Sequence, residues 1–247
     1  MRTSYLIGLA AGAYALGLVA MAPATLIDSR LQHASEGRLR LAEAHGTVWL
    51  GDGQLEIRDA NGRSGIAKHI AWQLRPAQLL RGKFLYEVAL DHAVKPFPVA
   101  LTLSHVEIAD ADISLPAAVV GLAVARLATL ELSGDLMLQV KRLALARGSI
   151  QGNATLQWRS AGSALTRVSP LGDYELRAEG DGASVRASLR TLQGPLQLDG
   201  GAAWKAGSNP EFLGTARVPP QHQQQLSPLL RLIAVERGDG LFALQLK

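Results

Sequence analysis

Hydrophobic residues follow two different periods along the chain, and the change between them comes near Asp28. From residue 3 through residue 27 no side chain is charged, and residues 4–21 are rich in Leu, Ala, Gly and Val. At about 1.5 Å per residue, the stretch from 4 to 21 is roughly 27 Å long as a helix, close to the thickness of a bilayer core. The pattern predicts an N-terminal transmembrane helix, and Pro23 is expected to end it.

A cleaved signal peptide is the alternative interpretation of this segment. Arg2 precedes the apolar run, and the small residues at positions 20–24 are typical of a cleavage site. The run exceeds the usual signal-peptide core of about 7–15 residues, which favours an anchor that stays in the chain. Arg2 on one side and Arg30, Arg38 and Arg40 on the other leave the membrane orientation open, because long C-terminal domains are translocated largely regardless of charge.

After Asp28 the helical period gives way to an alternation of apolar and polar residues, which is typical of strands with one covered face. The clearest examples are Ile70, Trp72 and Leu74, and then Phe84, Tyr86, Val88 and Leu90. Further runs include residues 101–107, and short turns rich in Gly, Asp, Asn and Ser separate many of them. The sequence therefore predicts a mainly β chain: one N-terminal transmembrane helix, then a curved, largely antiparallel, many-stranded sheet.

Two segments interrupt the β pattern and predict one or two short helices. Residues 116–127 begin with a proline, which suits the start of a helix. Residues 221–235 follow a Pro-Pro pair and place Leu226, Leu229, Leu230 and Ile233 on one helical face. The pattern leaves open whether the sheet forms an open trough, a sandwich or a barrel.

Composition narrows the classes of function. Hydrophobic residues make up 48% of the chain and charged residues 19%, so the chain has enough apolar material to fold. Aromatic residues are only 5%, and the net charge of +4 comes from dispersed basic residues, which argues against a nucleic-acid surface. The chain has no cysteine, which excludes disulfides, thiolate metal sites and a cysteine nucleophile.

Candidate catalytic residues are sparse. The six histidines (His33, His45, His69, His92, His105 and His222) show no close metal-ligand spacing. Asp110 and Asp112 form a possible carboxylate pair, but alternate residues of a strand share a face, and a turn or strand-edge role explains them better. Neither a Gly-x-Ser-x-Gly elbow nor a phosphate-binding loop occurs, so we predict no enzyme activity, no cofactor and no metal site.

Two tryptophan motifs resemble the type II secretion system protein N family, often called GspN. The first is Gly46-Thr47-Val48-Trp49-Leu50-Gly51, and the second joins Trp72-Gln73-Leu74-Arg75-Pro76 to Leu79, Leu80 and Gly82. Looser similarity covers nearly the whole chain. We expect Trp49 and Trp72 to act as sheet core rather than as partner anchors. Gly46, Gly51 and Gly82 are expected at turns or bulges.

The resemblance implies a single-pass protein of the cell inner membrane whose C-terminal domain lies in the periplasm. Residues 1–27 would form a cytoplasmic tail and anchor, and residues 28–247 the periplasmic β-rich domain. Its partners would be the inner membrane and other subunits of the type II secretion machinery, with no nucleic acid. The resemblance assigns the motif residues no catalytic task.

Two functions from different classes follow. In the first, a non-enzymatic accessory component docks onto other secretion subunits through exposed strand edges or the C-terminal helix. In the second, the sheet holds a lipid or another apolar ligand in a trough, because its long Leu, Val and Ala faces have few aromatic rings to fill them.

Overall fold

The structure is a computed structural model that describes residues 2–59, 65–91, 93–208 and 211–246. Contacts between residues divide the chain into two units, Met1–Leu74 and Arg75–Lys247. The first unit begins with helices α1 (Arg2–Ala20) and α2 (Thr25–Ala34). Its strands are β1 (Leu39–Gly46), β2 (Leu50–Arg58) and β3 (Gly65–Arg75), and β2 pairs antiparallel with both neighbours.

Helix α1 occupies most of the segment in which the sequence predicts a transmembrane helix. Its described side chains are apolar and exposed, with Leu9 and Leu16 each more than 70% accessible. None of the helices in the described part of the chain combines the length and the hydropathy that a bilayer-spanning helix needs.

Helix α2 corrects the expectation that helical structure ends near Asp28. The Asp28 carboxylate accepts hydrogen bonds at 2.7 Å from the Leu41 backbone N–H of β1 and from the Gln32 side chain. A contact with a residue 13 positions away stabilises the helix, and local hydrophobic periodicity does not report such a contact.

The described residues of the second unit form eleven strands, each paired antiparallel with its neighbours. They are β4 (Phe84–Leu90), β5 (Phe97–Leu101), β6 (His105–Pro116), β7 (Leu132–Ala146), β8 (Ser149–Ser163), β9 (Gly172–Gly182), β10 (Ser184–Gln193), β11 (Gln197–Lys205), β12 (Phe212–Arg217), β13 (Ala234–Gly238) and β14 (Leu241–Leu246). Strands β4 to β12 lie side by side in chain order, then β14 pairs with β12, and β13 is the last strand. The predicted mainly β, antiparallel, many-stranded fold is confirmed.

Short helices lie between these strands. They are α3 (Ala118–Ala123), α4 (Ala125–Ala128), α5 (Gln223–Leu230) and two 3₁₀ helices, Pro76–Arg81 and Pro220–His222. The helix predicted at 116–127 is confirmed with a break at Val124, whose backbone is extended. The helix predicted at 221–235 is too long, because it ends at Leu230 and residues 234–238 pair with β14 as β13.

The run predicted at 101–107 is also corrected. Leu101 ends β5 and His105 begins β6, and the fully exposed Leu103 lies in the turn between them. The Thr102 hydroxyl accepts the His105 N–H at 3.0 Å and thereby closes this turn. Side-chain hydrogen bonding to nearby backbone replaced the strand that alternation alone predicted.

The two faces of the second unit's sheet differ in polarity, as the alternation requires. Across strands β8 to β11, one face carries apolar or small side chains, such as Leu156, Leu176 and Leu189, which lie side by side in the register. The opposite face carries exposed polar residues such as Arg186 and Ser188. Helix α5 covers the apolar face at one end, where Leu226, Leu229 and Leu230 are buried against the main core.

Candidate functional site

The first tryptophan motif forms the turn between β1 and β2. Gly46 has a φ of +84°, and a Cβ there would lie 2.4 Å from the Leu50 carbonyl oxygen, so this position favours glycine. The Thr47 N–H donates to that same oxygen at 2.8 Å. The Thr47 hydroxyl accepts the N–H groups of Trp49 and Leu50, each at 3.2 Å. Thr47 therefore closes the turn with both its backbone and its side chain.

This turn is hydrogen-bonded to the end of helix α1 and the residues that follow it. The Trp49 indole N–H donates to the Val19 carbonyl in the last turn of α1 at 2.8 Å. The Val48 N–H donates to the Ala22 carbonyl at 2.9 Å, and the Ala24 N–H donates to the Gly46 carbonyl at 3.2 Å. Because carbonyls at a helix C-terminus lack partners within the helix, such bonds fix where the helix ends. We call residues 46–51 the helix clasp.

The beginning of the second motif supports the helix clasp from β3. Trp72 is 6% exposed, and its indole N–H donates to the Thr47 carbonyl at 3.1 Å. The Leu74 N–H donates to the Trp49 carbonyl at 2.7 Å. Gly51 lies against Trp72 so closely that a Cβ at position 51 would be 2.6 Å from a ring carbon. The structure thus brings Gly46, Thr47, Trp49, Gly51, Trp72 and Leu74 together.

The remaining motif residues lie in the second unit. Pro76 begins the 3₁₀ helix, and Gly82 ends it with a φ of +70°. Leu79 is 38% exposed and Leu80 is 96% exposed, so neither contributes to a buried core. The Gly82 N–H donates to the Leu79 carbonyl at 2.9 Å. These residues form a helical connection with an apolar outer surface.

A second candidate site is an apolar pocket of about 280 Å³ in the second unit. It lies between the inner face of strands β7–β12 and β14 and the helices α3, α4 and α5, and it is lined only by Val, Leu, Ile, Phe, Trp and Tyr side chains. At one end the lining is buried, including Leu196, Leu230 and Tyr174. At the other end Leu156 and Leu189 are half-exposed, so the pocket is open there.

The polar atoms of the two amphipathic lining residues face backbone partners. The Tyr174 hydroxyl donates to the Leu196 carbonyl at 2.9 Å, and the Trp158 indole N–H donates to the Ser133 carbonyl at 3.0 Å. Burial, together with the negative charge of Asp173, raises the pKa of Tyr174 and keeps its hydroxyl neutral. Neither group is left to bind a polar ligand.

A buried carboxylate lies on the opposite face of the same sheet. Glu175 is 4% exposed, and its Oε1 lies 2.7 Å from both Arg177 and Arg190, while the Gln157 side chain donates to Oε2 at 3.2 Å. Burial alone would raise the pKa of Glu175, but the hydrogen bonds from Gln157, Arg190 and Arg177 outweigh it and lower that pKa. Sequence reasoning missed this cluster, because its members come from three strands.

The other candidate residues stay apart. Asp110 has a φ of +48° and lies between Ala109 and Ala111, which pair with β7 in one unchanged register, and Asp112 lies in the middle of that strand rather than near a turn. His69 lies 3.4 Å from Asp52, and His92 is outside the described residues. In the ranges that the structure describes, no three His, Asp or Glu side chains are grouped so that they could hold a metal ion.

Comparison with known proteins supplies one match. Searches of curated proteins and of solved structures found no significant match. The model of the family described as "Type II secretion system (T2SS), protein N" matches residues 37–245, a range that includes both tryptophan motifs and the apolar pocket. Since that range is most of the 247 residues, the chain belongs to the type II secretion system protein N family.

Proposed function

We propose that this protein is a non-enzymatic accessory component of the type II secretion system, attached to the inner membrane by its N-terminal segment, with its β domain in the periplasm. Membership of the protein N family supports a role in secretion. The observation that carries the proposal is the helix clasp, because it joins an apolar, exposed helix directly to a strand turn.

The chemistry of α1 supports attachment to lipid. Its exposed side chains include Ile7, Leu9, Leu16 and Leu18, and no charged residue occurs from residue 3 to residue 27. Exposed apolar area of this kind is unfavourable in water and favourable in a bilayer. Trp49 binds at the end of α1, and tryptophan is a residue type enriched at membrane–water interfaces.

Fractionation of the full chain tests attachment and topology together. We expect the protein to stay with inner-membrane vesicles through alkaline carbonate extraction, and the variant lacking residues 2–20 to be released. Protease added to the periplasmic side of spheroplasts should digest the β domain. Release of the full chain by carbonate, or protection of the domain until the membrane is lysed, would contradict the proposal.

Docking onto other secretion subunits is assigned to the edge strand β13. Within the described residues it is the last strand in the order, and four of its five residues are exposed, including Val235 at 63%. An edge strand offers free backbone N–H and C=O groups to another strand. Secretion subunits are therefore expected to add a strand beside β13.

A charged side chain introduced on β13 tests whether partners dock by adding a strand to this edge. Val235→Glu should reduce co-purification of secretion subunits with the tagged chain and reduce export, since edge charges oppose strand addition. Leu213→Glu is the matched control, because Leu213 is 56% exposed on the interior strand β12. Equal co-purification for both variants and the unchanged chain would exclude β13 as the docking edge.

A further inference from the structure

We propose that the apolar pocket of the second unit binds a single fatty acyl chain. This inference does not depend on the docking or the membrane attachment proposed above. It starts from the pocket between α3, α4, α5 and the sheet, whose lining offers no free polar group: the hydroxyl of Tyr174 and the indole N–H of Trp158 are both bound to backbone carbonyls.

Water is a poor occupant of this space. The pocket of about 280 Å³ is large enough for several water molecules. A buried water requires two to four polar partners, and an apolar cavity without them is dry or takes an apolar guest. The lining therefore selects a hydrocarbon.

The lining of the pocket favours a fatty acyl chain over a protein segment. A helical segment would bring the unpaired backbone N–H and C=O groups of its ends to a lining without polar partners. An added strand would bring backbone N–H and C=O groups into a site that cannot bond them. A fatty acyl chain is thin, flexible and free of polar groups along its length, so it needs no polar partners.

The open end of the pocket indicates how the rest of the ligand leaves it. Two residues beyond Leu156, Leu176 and Leu189 on the same strands and the same face lie Ala154, Ala178 and Ala187, all half-exposed.

These small side chains lie level across three strands and continue the apolar surface outward from the pocket. No charged residue occurs on this face in β8 to β11, so these strands offer no ionic contact to a lipid headgroup. The site therefore recognises the fatty acyl chain of its ligand. Either a phospholipid or a free fatty acid can supply that acyl chain.

Site-specific photo-crosslinking in intact cells tests the proposal in the full chain. The photoreactive residue p-benzoylphenylalanine replaces Leu176, which lines the pocket, or Glu179, which is exposed on the opposite face of the same strand. We expect a lipid adduct at position 176 and none at position 179. The adduct mass distinguishes a phospholipid from a free fatty acid, and either supports the proposal.

A protein adduct at position 176, or no adduct, overturns the proposal. If the chain with the photoreactive residue at 176 does not accumulate in folded form, the same substitution at Leu156 on β8 replaces it. A second pair of variants tests whether the free volume of the pocket is needed. Leu189→Trp places an indole ring in the pocket and should reduce the yield of the lipid adduct several-fold. Ser188→Trp places the same ring on the opposite face and should leave the yield unchanged, whereas an equal yield for both overturns the assignment.

Discussion

At the scale of single residues, the motif is explained by close packing and hydrogen bonding. Gly46 and Gly51 leave space for the Leu50 carbonyl and the Trp72 ring, and the indole of Trp49 reaches the Val19 carbonyl. Trp72 is buried in the sheet, whereas Trp49 is half-buried and contacts α1. The two tryptophans therefore differ in task although they sit in similar apolar runs.

The substitution Gly51→Ala tests the packing of the helix clasp. The added Cβ would lie 2.3 Å from the His45 carbonyl oxygen and 2.6 Å from the Trp72 ring, so backbone must shift. We expect a loss of about 1–3 kcal/mol in the free energy of unfolding, measured by chemical denaturation, with weaker hydrogen-exchange protection in residues 39–58.

Gly12→Ala is the control, because nothing lies within 4 Å of a Cβ at position 12. It should not reduce stability, since alanine favours the helix over glycine. Equal losses for the two variants would show that Gly51 is not required by packing.

The buried Glu175 predicts a defined pH dependence. Its folded pKa is lowered from the ordinary 4.5, so the charged form stabilises the fold above that pH, and this stabilisation is lost as pH falls below 4.5. Glu175→Gln should cost about 1–2 kcal/mol at pH 7, measured by denaturation, because two arginines lose their charged acceptor. The difference from the unchanged chain should shrink on acidification toward pH 3.

Glu179→Gln is the matched control on the same strand, where the side chain is exposed. It should change stability by less than about 0.5 kcal/mol at pH 7. A pH-independent difference for Glu175→Gln would contradict the ion-pair account.

At the scale of elements, α5 is held by tertiary contacts rather than by its own propensity. It has only eight residues and contains Pro228, so it would be marginal alone. Leu226, Leu229 and Leu230 pack into the core formed with β14, where Phe242 is fully buried. The helix also closes the buried end of the apolar pocket through Leu229 and Leu230.

Leu226→Ala tests this anchoring. The Leu226 side chain is fully buried, so the truncation should cost about 2–5 kcal/mol in the free energy of unfolding. Leu232→Ala, at a position just past the helix that is 60% exposed, should change it by less than about 0.5 kcal/mol. Thermal unfolding followed by circular dichroism compares the two, and a similar effect of both would show that α5 does not seal the core.

At the scale of the whole molecule, the consistent division of the second unit's sheet into two faces is the main organising feature. Positions of opposite parity on one strand meet different surroundings: Val185 is 4% exposed on the apolar face, whereas Ser188 is exposed on the polar face of the same strand. A slip of one residue in register would exchange these surroundings along an entire strand. The same division leaves one face free to hold an apolar ligand.

Paired aspartate substitutions measure this division. Val185→Asp would bury a carboxylate among apolar side chains and should cost about 3 kcal/mol or more in the free energy of unfolding. Ser188→Asp should be tolerated within about 0.5 kcal/mol, because its neighbour across the strands is Arg177. Comparable losses in denaturation experiments would contradict the assignment of faces.

The sequence alone determined the elements whose cause is local. Alternation of apolar and polar residues predicted the strands containing Trp72 and Tyr86, because side chains of a strand point alternately to opposite faces. Helical spacing predicted the buried stripe of Leu226, Leu229 and Leu230, and the tryptophan motifs indicated the family that the comparison then established.

Tertiary structure decided what depends on residues distant in the chain. The contact of Asp28 with Leu41 supports α2, and the pairing of residues 234–238 with β14 ends the predicted helix early. The bond from Trp49 to Val19 crosses thirty positions, and the Glu175 cluster gathers residues from three strands. The apolar pocket likewise exists only where short helices cover part of one sheet face. The periodicity of the sequence describes one helix or strand at a time. Strand pairing, the covering of a sheet face by helices and the formation of ion clusters depend on which elements contact one another in the folded chain.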